Sequence, residues 1–228
     1  MTGLWRVDLH THTKWSKDSL TEFETIIRLC EQRRIQRIAI TDHNTADGAL
    51  AMQKLVPELV IVGEEIMTPQ GELLAYYLHE SVPAGLSPEE TIRRLRDQGA
   101  IISVSHPFDR LRGGAWKEEN LLRIIDKIDA IEIFNARCFF MEDNQKAIQF
   151  AQNHHLLGTA GSDSHIEREY GQTLTLLRPF EHNPVDFLSA VCGADYVKQL
   201  SSRLVHFGSM AATWQKRLGL KPRLWDGG

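Results

Sequence analysis

The sequence predicts an α/β fold whose mostly parallel sheet is closed, or nearly closed, into a barrel. Three observations carry this expectation. Short β-branched runs alternate with longer stretches of helical periodicity along most of the chain. The strand-like runs are continuously apolar, as in strands covered on both faces. The ionisable residues gather just after those runs, where the loops of a parallel barrel converge on one mouth.

The expected strands cover residues 4–9, 37–41, 59–66, 101–105, 130–134, 157–160 and 173–177, with helical patterns at 22–32, 46–55, 88–98, 118–125, 144–154 and 184–194. In the first helix Phe23, Ile26, Ile27, Leu29 and Cys30 form one apolar stripe at helical spacing. Ser87-Pro88-Glu89-Glu90 reads as a helix start, with a capping serine, proline at the first position and acids in the first turn. Seven strand–helix units are too many for a small open sheet. One interruption stands out: Thr68-Pro69-Gln70-Gly71 reads as a turn and 72–78 as an extra strand, making a hairpin. The barrel is expected to fill residues 1–195. Residues 196–228, with basic and aromatic side chains, are expected to form a helical extension packed across the bottom or side of the barrel, with a dimer or partner contact as the alternative.

Composition narrows the function classes. With 26 Lys and Arg against 30 Asp and Glu, the net charge of −4 gives no general pull toward nucleic acid or an anionic membrane surface. Three scattered cysteines, Cys30, Cys138 and Cys192, make no CxxC pair and no disulfide framework. No apolar run reaches the roughly 18 residues of a membrane span, and the N-terminus lacks the design of a signal peptide. A soluble cytoplasmic protein is expected.

The residues that carry chemistry follow the strands one after another. His10 and His12 follow the first, Asp42 and His43 the second, and Glu65 ends the third. His106 follows the fourth, Asn135 and Arg137 the fifth, and Asp163 and His165 the sixth. Two histidines two apart on a strand point to the same side and can reach one ion. Gly161 precedes Asp163 and His165, where a backbone approaches closely. Each motif alone has an ordinary structural explanation. Together, at neighbouring strand ends, these imidazoles and carboxylates would desolvate and repel one another without cations between them. Imidazole and carboxylate without thiolate suit Zn, Mn, Fe or Ni, and so many donors exceed what one ion can use. His79, His154, His155, His182 and His206 stay outside the set. Lys14, Trp15, Lys17 and the basic loop 109–114 are placed where they could meet an anionic substrate.

Five motifs in this order resemble the polymerase-and-histidinol-phosphatase (PHP) family of metal-dependent phosphoesterases: Asp8-Leu9-His10-Thr11-His12-Thr13, Thr41-Asp42-His43-Asn44, Gly63-Glu64-Glu65-Ile66, Ser105-His106-Pro107 and Gly161-Ser162-Asp163-Ser164-His165. The resemblance implies a distorted (βα)7 TIM-like barrel with a metal site at the C-terminal ends of the strands. It implies one ion on His10, His12, Glu65 and Asp163. Glu65 would bridge to a second ion on His106, a third would sit on His43, His165 and Asp18, and Asp42 would orient a neighbour rather than bind metal. Two departures matter. Asn135 stands where members with a full three-ion site carry a histidine ligand, and Asp18 where some carry a histidine. Two tightly held ions with room for a third, from Mn, Zn or Fe, are therefore expected.

The function expected is phosphate release from a small phosphorylated metabolite or nucleotide, with a short oligonucleotide left open as substrate. Arg137 would stabilise charge on the phosphoryl oxygens, and Asp18, Asp42 and His43 are the candidates for moving the proton to the leaving group. Two other readings remain: an amide or lactam hydrolase on the same metal cluster, and a non-catalytic metal-binding accessory module.

Overall fold

The computed structural model describes residues 3–202 and 204–219. The rest of the expected extension, residue 203 and residues 220–228, lies outside the described residues. Strands β1 (Trp5–Thr11), β2 (Arg37–Ile40) and β3 (Val60–Thr68) alternate with helices α1 (Phe23–Arg33) and α2 (Asp47–Gln53). Then come β4 (Gly71–Tyr76), α3 (Pro88–Asp97), β5 (Ile101–Val104), α4 (Glu118–Leu122), β6 (Ala130–Asn135), α5 (Met141–Asn153) and β7 (Leu157–Gly161). The last elements are β8 (Leu174–Leu177), α6 (Pro184–Val191), β9 (Asp195–Val197) and α7 (Val205–Arg217). Local signals account for several boundaries. Ser87 caps α3 by accepting from the Glu90 amide at 3.2 Å, with Pro88 at the first helical position. Asn183 and Pro184 start α6 in the same way.

The sheet runs β7-β6-β5-β4-β3-β2-β1-β8-β9 and is nearly closed. The predicted hairpin strand is there as β4, antiparallel to both β3 and β5, so it sits inside the barrel wall rather than beside it. The strand expected at 173–177 is β8, but it does not complete the parallel barrel. It runs antiparallel along the start of β1 and carries β9 on its other edge. Closure falls to β7 and β1: the Asp163 amide donates to His10 O at 2.7 Å and the His12 amide to Ser164 O at 2.9 Å.

An apolar cluster closes the end of the barrel away from those contacts. It joins strand-start residues Val7, Ala39, Ile61 and Ile101 to Phe180, Phe187 and Val191. Helix α6 therefore plugs the N-terminal end of the barrel. The C-terminal helix goes elsewhere, contrary to the expectation that it crosses the bottom or side. Ser209 of α7 accepts from Arg137 Nη2 at 2.8 Å, and Lys216 Nζ donates to Lys14 O at 2.5 Å and to Ser16 O. Both partners belong to loops at the C-terminal ends of strands, so α7 lies over the mouth. The mouth offers a guanidinium and carbonyls to Ser209 and Lys216, and Phe207 and Met210 of α7 line the cleft there. Among the described residues no helix is long and apolar enough to cross a membrane.

Candidate metal centre

β1 departs from regular pairing where it matters. Its register with β2 shifts between Asp8 and Thr11, and β6 shifts against β7 between Glu132 and Phe134. Such bulges re-aim side chains at a strand end, and here they lie beside His10 and Glu132. His10 Nδ1 is 3.0 Å from Glu132 Oε1, so it donates there and turns its Nε2 lone pair outward. His12 Nδ1 is 3.0 Å from Ser16 Oγ, whose own proton goes to Asp42 Oδ1 at 2.9 Å. His12 Nε2 is likewise left with a lone pair. Two imidazoles oriented by hydrogen bonds at the far nitrogen are the arrangement a metal ligand needs.

The two Nε2 atoms lie 3.1 Å apart. Glu65 Oε2 is 3.3 and 3.4 Å from them, and Asp163 Oδ1 is 3.7 and 3.2 Å away. Neither carboxylate oxygen accepts a hydrogen bond, although both side chains are fully buried. Two imidazoles and two carboxylates packed together in a buried site need a cation among them. It is either a proton on His10, whose pKa burial lowers but Glu65 and Asp163 raise well above the ordinary value, or a metal ion in its place. An ion at ~2.0–2.2 Å from each ligand puts tetrahedral donors about 3.3–3.6 Å apart, close to the observed spacing. The residues fit a divalent ion.

Burial raises the pKa of Glu65, but positive charge on His10 and His43 outweighs it and holds the carboxyl well below the usual range. Burial is likewise overcome at Asp163, by Arg112 and His10. His12 moves the other way: burial, with His165 and His43 beside it, pushes its pKa well below the ordinary value. It is thus neutral, the form that binds metal. Asp163 also sits at φ 51°, a left-handed conformation that aspartate tolerates better than most residues.

A second group of donors adjoins the first. Asp18 Oδ2 is 3.4 Å from His43 Nε2 and 3.2 Å from His165 Nε2, and Asp18 Oδ1 is buried without a hydrogen bond. His165 Nδ1 donates to Asp163 O at 2.8 Å, which again frees Nε2. His43 Nδ1 reaches back to Glu65 Oε2 at 3.0 Å and links the two groups. On the other flank His106 Nε2 lies 2.9 Å from Glu65 Oε1 and 3.4 Å from Glu72 Oε2. All eight expected ligands thus converge, and Glu72 joins them unannounced.

Not every expected role survives the geometry. Asp42 does not reach the mouth. Its oxygens accept from the Thr13 amide at 2.6 Å, Thr13 Oγ1 at 2.7 Å and Ser16 Oγ, so it braces the first loop and the His12 partner instead of moving a proton. Burial raises its pKa against those hydrogen bonds. Asn135 is no ligand either: its Oδ1 accepts from the Arg137 amide at 2.8 Å, while Nδ2 donates to Glu132 Oε2 and Asp163 Oδ2, each at 3.1 Å. Arg137 is buried 3.5 Å from Glu169 Oε1, and it lines a cleft of ≈ 500 Å³ with Asp18 and His165. Lys14 is taken by Glu22 at 2.5 Å, and Arg110 of the basic loop by Asp143. Arg112 of the same loop turns inward, with Nη1 3.1 Å from His106 Nε2.

Glu72 and Glu132 were not singled out as site residues from sequence. The signal that could have found them is the same for both: a lone carboxylate in an otherwise apolar strand, which burial tolerates only with partners.

Comparison with known proteins identifies the family and the fold. Residues 8–72 match the PHP domain and residues 141–192 the PHP-associated family. The uncharacterized protein MJ0417 of Methanocaldococcus jannaschii is 34% identical over 193 residues, which are 81% of this chain and 78% of that protein. PsfC from Pseudomonas syringae shares the fold at a TM-score of 0.70 and 17% identity, over 93% of this chain and 99% of its own. A two-domain protein from Bacteroides vulgatus containing a predicted PHP-like metal-dependent phosphoesterase aligns at a TM-score of 0.67 and 18% identity, over 91% of this chain and 69% of its own. The domain match runs through the three strands whose ends deliver His10, His12, His43 and Glu65, and the chain belongs to the PHP family.

Proposed function

We propose that this chain is a metal-dependent phosphoesterase that releases phosphate from a small phosphorylated metabolite or nucleotide. The observation that carries the reading is the buried cluster of imidazole and carboxylate donors at the floor of a cleft whose wall holds Arg137. Divalent ions bound there, Mn, Zn or Fe, supply Lewis acidity for an in-line displacement at phosphorus. His10, His12, Glu65 and Asp163 hold one ion, and Asp18, His43 and His165 hold another. Arg137 offers its guanidinium to the non-bridging phosphoryl oxygens, held in place by Glu169 and Ser209. Asp18, which lines the cleft, and His43, 3.4 Å from it, are the groups proposed for proton delivery to the leaving group, and Asp42 is set aside because its oxygens are already committed. The Bacteroides vulgatus protein of this fold contains a predicted metal-dependent phosphoesterase, which supports the same chemistry. An amide hydrolase on this cluster would have no use for a cation where Arg137 stands. A short oligonucleotide end remains within the proposed substrate range. The cytoplasm is the proposed location.

The test is phosphate release across phosphomonoesters and nucleotides by chelator-stripped protein reloaded with Mn, Zn or Fe. Metal-dependent turnover of one compound class is expected, abolished in His10→Ala. In Arg137→Met, kcat/KM should fall by about 10²-fold, the order seen when one preorganised donor is removed. Silence across the panel from protein that carries its ions would overturn the phosphoesterase reading.

A further inference from the structure

We infer that Arg112 takes the place of an ion on the His106 flank, so that the saturated chain holds two divalent ions and one built-in guanidinium. This rests on the metal-centre reading above.

The guanidinium is inserted among the groups that would otherwise share a metal. Nη1 lies 3.1 Å from His106 Nε2, and Nη2 donates to Asp163 Oδ2. That same His106 nitrogen is 2.9 Å from Glu65 Oε1 and 3.4 Å from Glu72 Oε2. An ion on His106 Nε2 would sit ~2.0–2.1 Å from it. It would press against Nη1, which already approaches the same lone pair. Two cations cannot share that space without repulsion, so one excludes the other.

With Arg112 in place the flank is also short of free donors for a metal. Asp163 Oδ2 is saturated by Arg112 and by the amide of Asn135, which approaches at 3.1 Å. Asn135 presents hydrogens to that oxygen and gives its own oxygen to the Arg137 amide. Glu65 Oε1 accepts from Ser105 Oγ at 2.6 Å. The planar fork of N–H groups satisfies His106 Nε2 and one oxygen each of Asp163 and Asp109 at once, which a small ion could not do while Arg112 holds them.

The chain holds Arg112 in this position. Its Nε is 3.3 Å from Asp109 Oδ2, and its amide donates to Asp109 O at 3.1 Å, closing a turn that aims the side chain inward. Two residues earlier Arg110 faces outward to Asp143, so the inward path belongs to Arg112 alone within this loop.

The experiment counts ions. Wild-type protein and the variants Arg112→Met, Arg112→Lys and His106→Ala are saturated with Mn or Zn, desalted, and assayed by elemental analysis and native mass spectrometry. Circular dichroism checks the fold of each. Two ions per chain are expected in wild type, three in Arg112→Met, and two in both Arg112→Lys and His106→Ala. Three ions in wild type would overturn the inference, as would two in Arg112→Met or the loss of an ion in His106→Ala. If Arg112→Met does not fold, the wild-type and His106→Ala counts still decide it. A wild-type chain that binds no ion would reject the metal-centre reading itself, a result distinct from any of these.

Discussion

Gly161 is where the barrel closes, and adding one methyl group there tests how tightly closure and metal binding are tied. A Cβ at this position would meet His10 Cβ at 2.4 Å, His10 N at 2.8 Å and His10 Cα at 3.1 Å. Non-bonded carbons rest about 3.5–4.0 Å apart, so β7 and β1 must part by about 1 Å. The obstruction is largely backbone, which no rotamer change relieves. Overpacking of a well-packed site costs typically ~1–3 kcal/mol, and the upper end applies here. For a domain of this size that lowers Tm by about 6–12 °C. The displaced strand carries two ligands and hydrogen-bonds to the segment carrying two more, so ion affinity falls as well, by about tenfold or beyond. Urea unfolding of chelator-treated Gly161→Ala gives the first quantity, and calorimetric titration with Mn gives the second. Stability within about 0.5 kcal/mol of wild type, together with unchanged affinity, would refute the argument that this contact sets the site.

Two further outcomes follow from the same structure. Glu132→Gln keeps the shape of the side chain that receives His10 Nδ1–H and the His106 amide but removes its charge. Ion affinity should drop about 10–100-fold, read by competition with a chromophoric chelator, and an unchanged affinity would dismiss Glu132 as the orienting partner. The thiols should divide by burial: desolvation pushes Cys30 up to about 12 and Cys138 well above the ordinary value, while Cys192 is exposed. A disulfide reagent at pH 8 should therefore titrate one thiol in the native protein and three in denaturant; three fast thiols in the native protein would contradict the packing around Cys30 and Cys138.

The site was legible to an unusual degree because its ligands announce themselves by chemistry and position. His10, His12, His43, Glu65, His106, Asp163 and His165 each follow an apolar run, and an ionisable residue at the end of a buried strand has few structural uses. The supporting residues were not legible for the opposite reason. Ser16, Glu72 and Glu132 are ordinary in type, and only their three-dimensional partners make them part of the centre. Asp42 shows the converse error: it shares a motif with His43, but its carboxylate is turned toward Thr13 and Ser16.

What the sequence by itself determined is the set of elements apart from the short β9, the hairpin that interrupts them, and the end of the barrel where the donors meet. These follow from local periodicity, turn chemistry and residue type, all of which act within a few positions along the chain. Only the tertiary structure decided that β8 runs antiparallel outside the parallel set, that α7 lies over the mouth while α6 plugs the bottom, and that Arg112 rather than Arg110 enters the cluster. Those outcomes depend on which distant segments meet. The strand bulges beside His10 and Glu132, the backbone approach at Gly161 and the donors facing Asp163 are long-range contacts, and no local pattern encodes them.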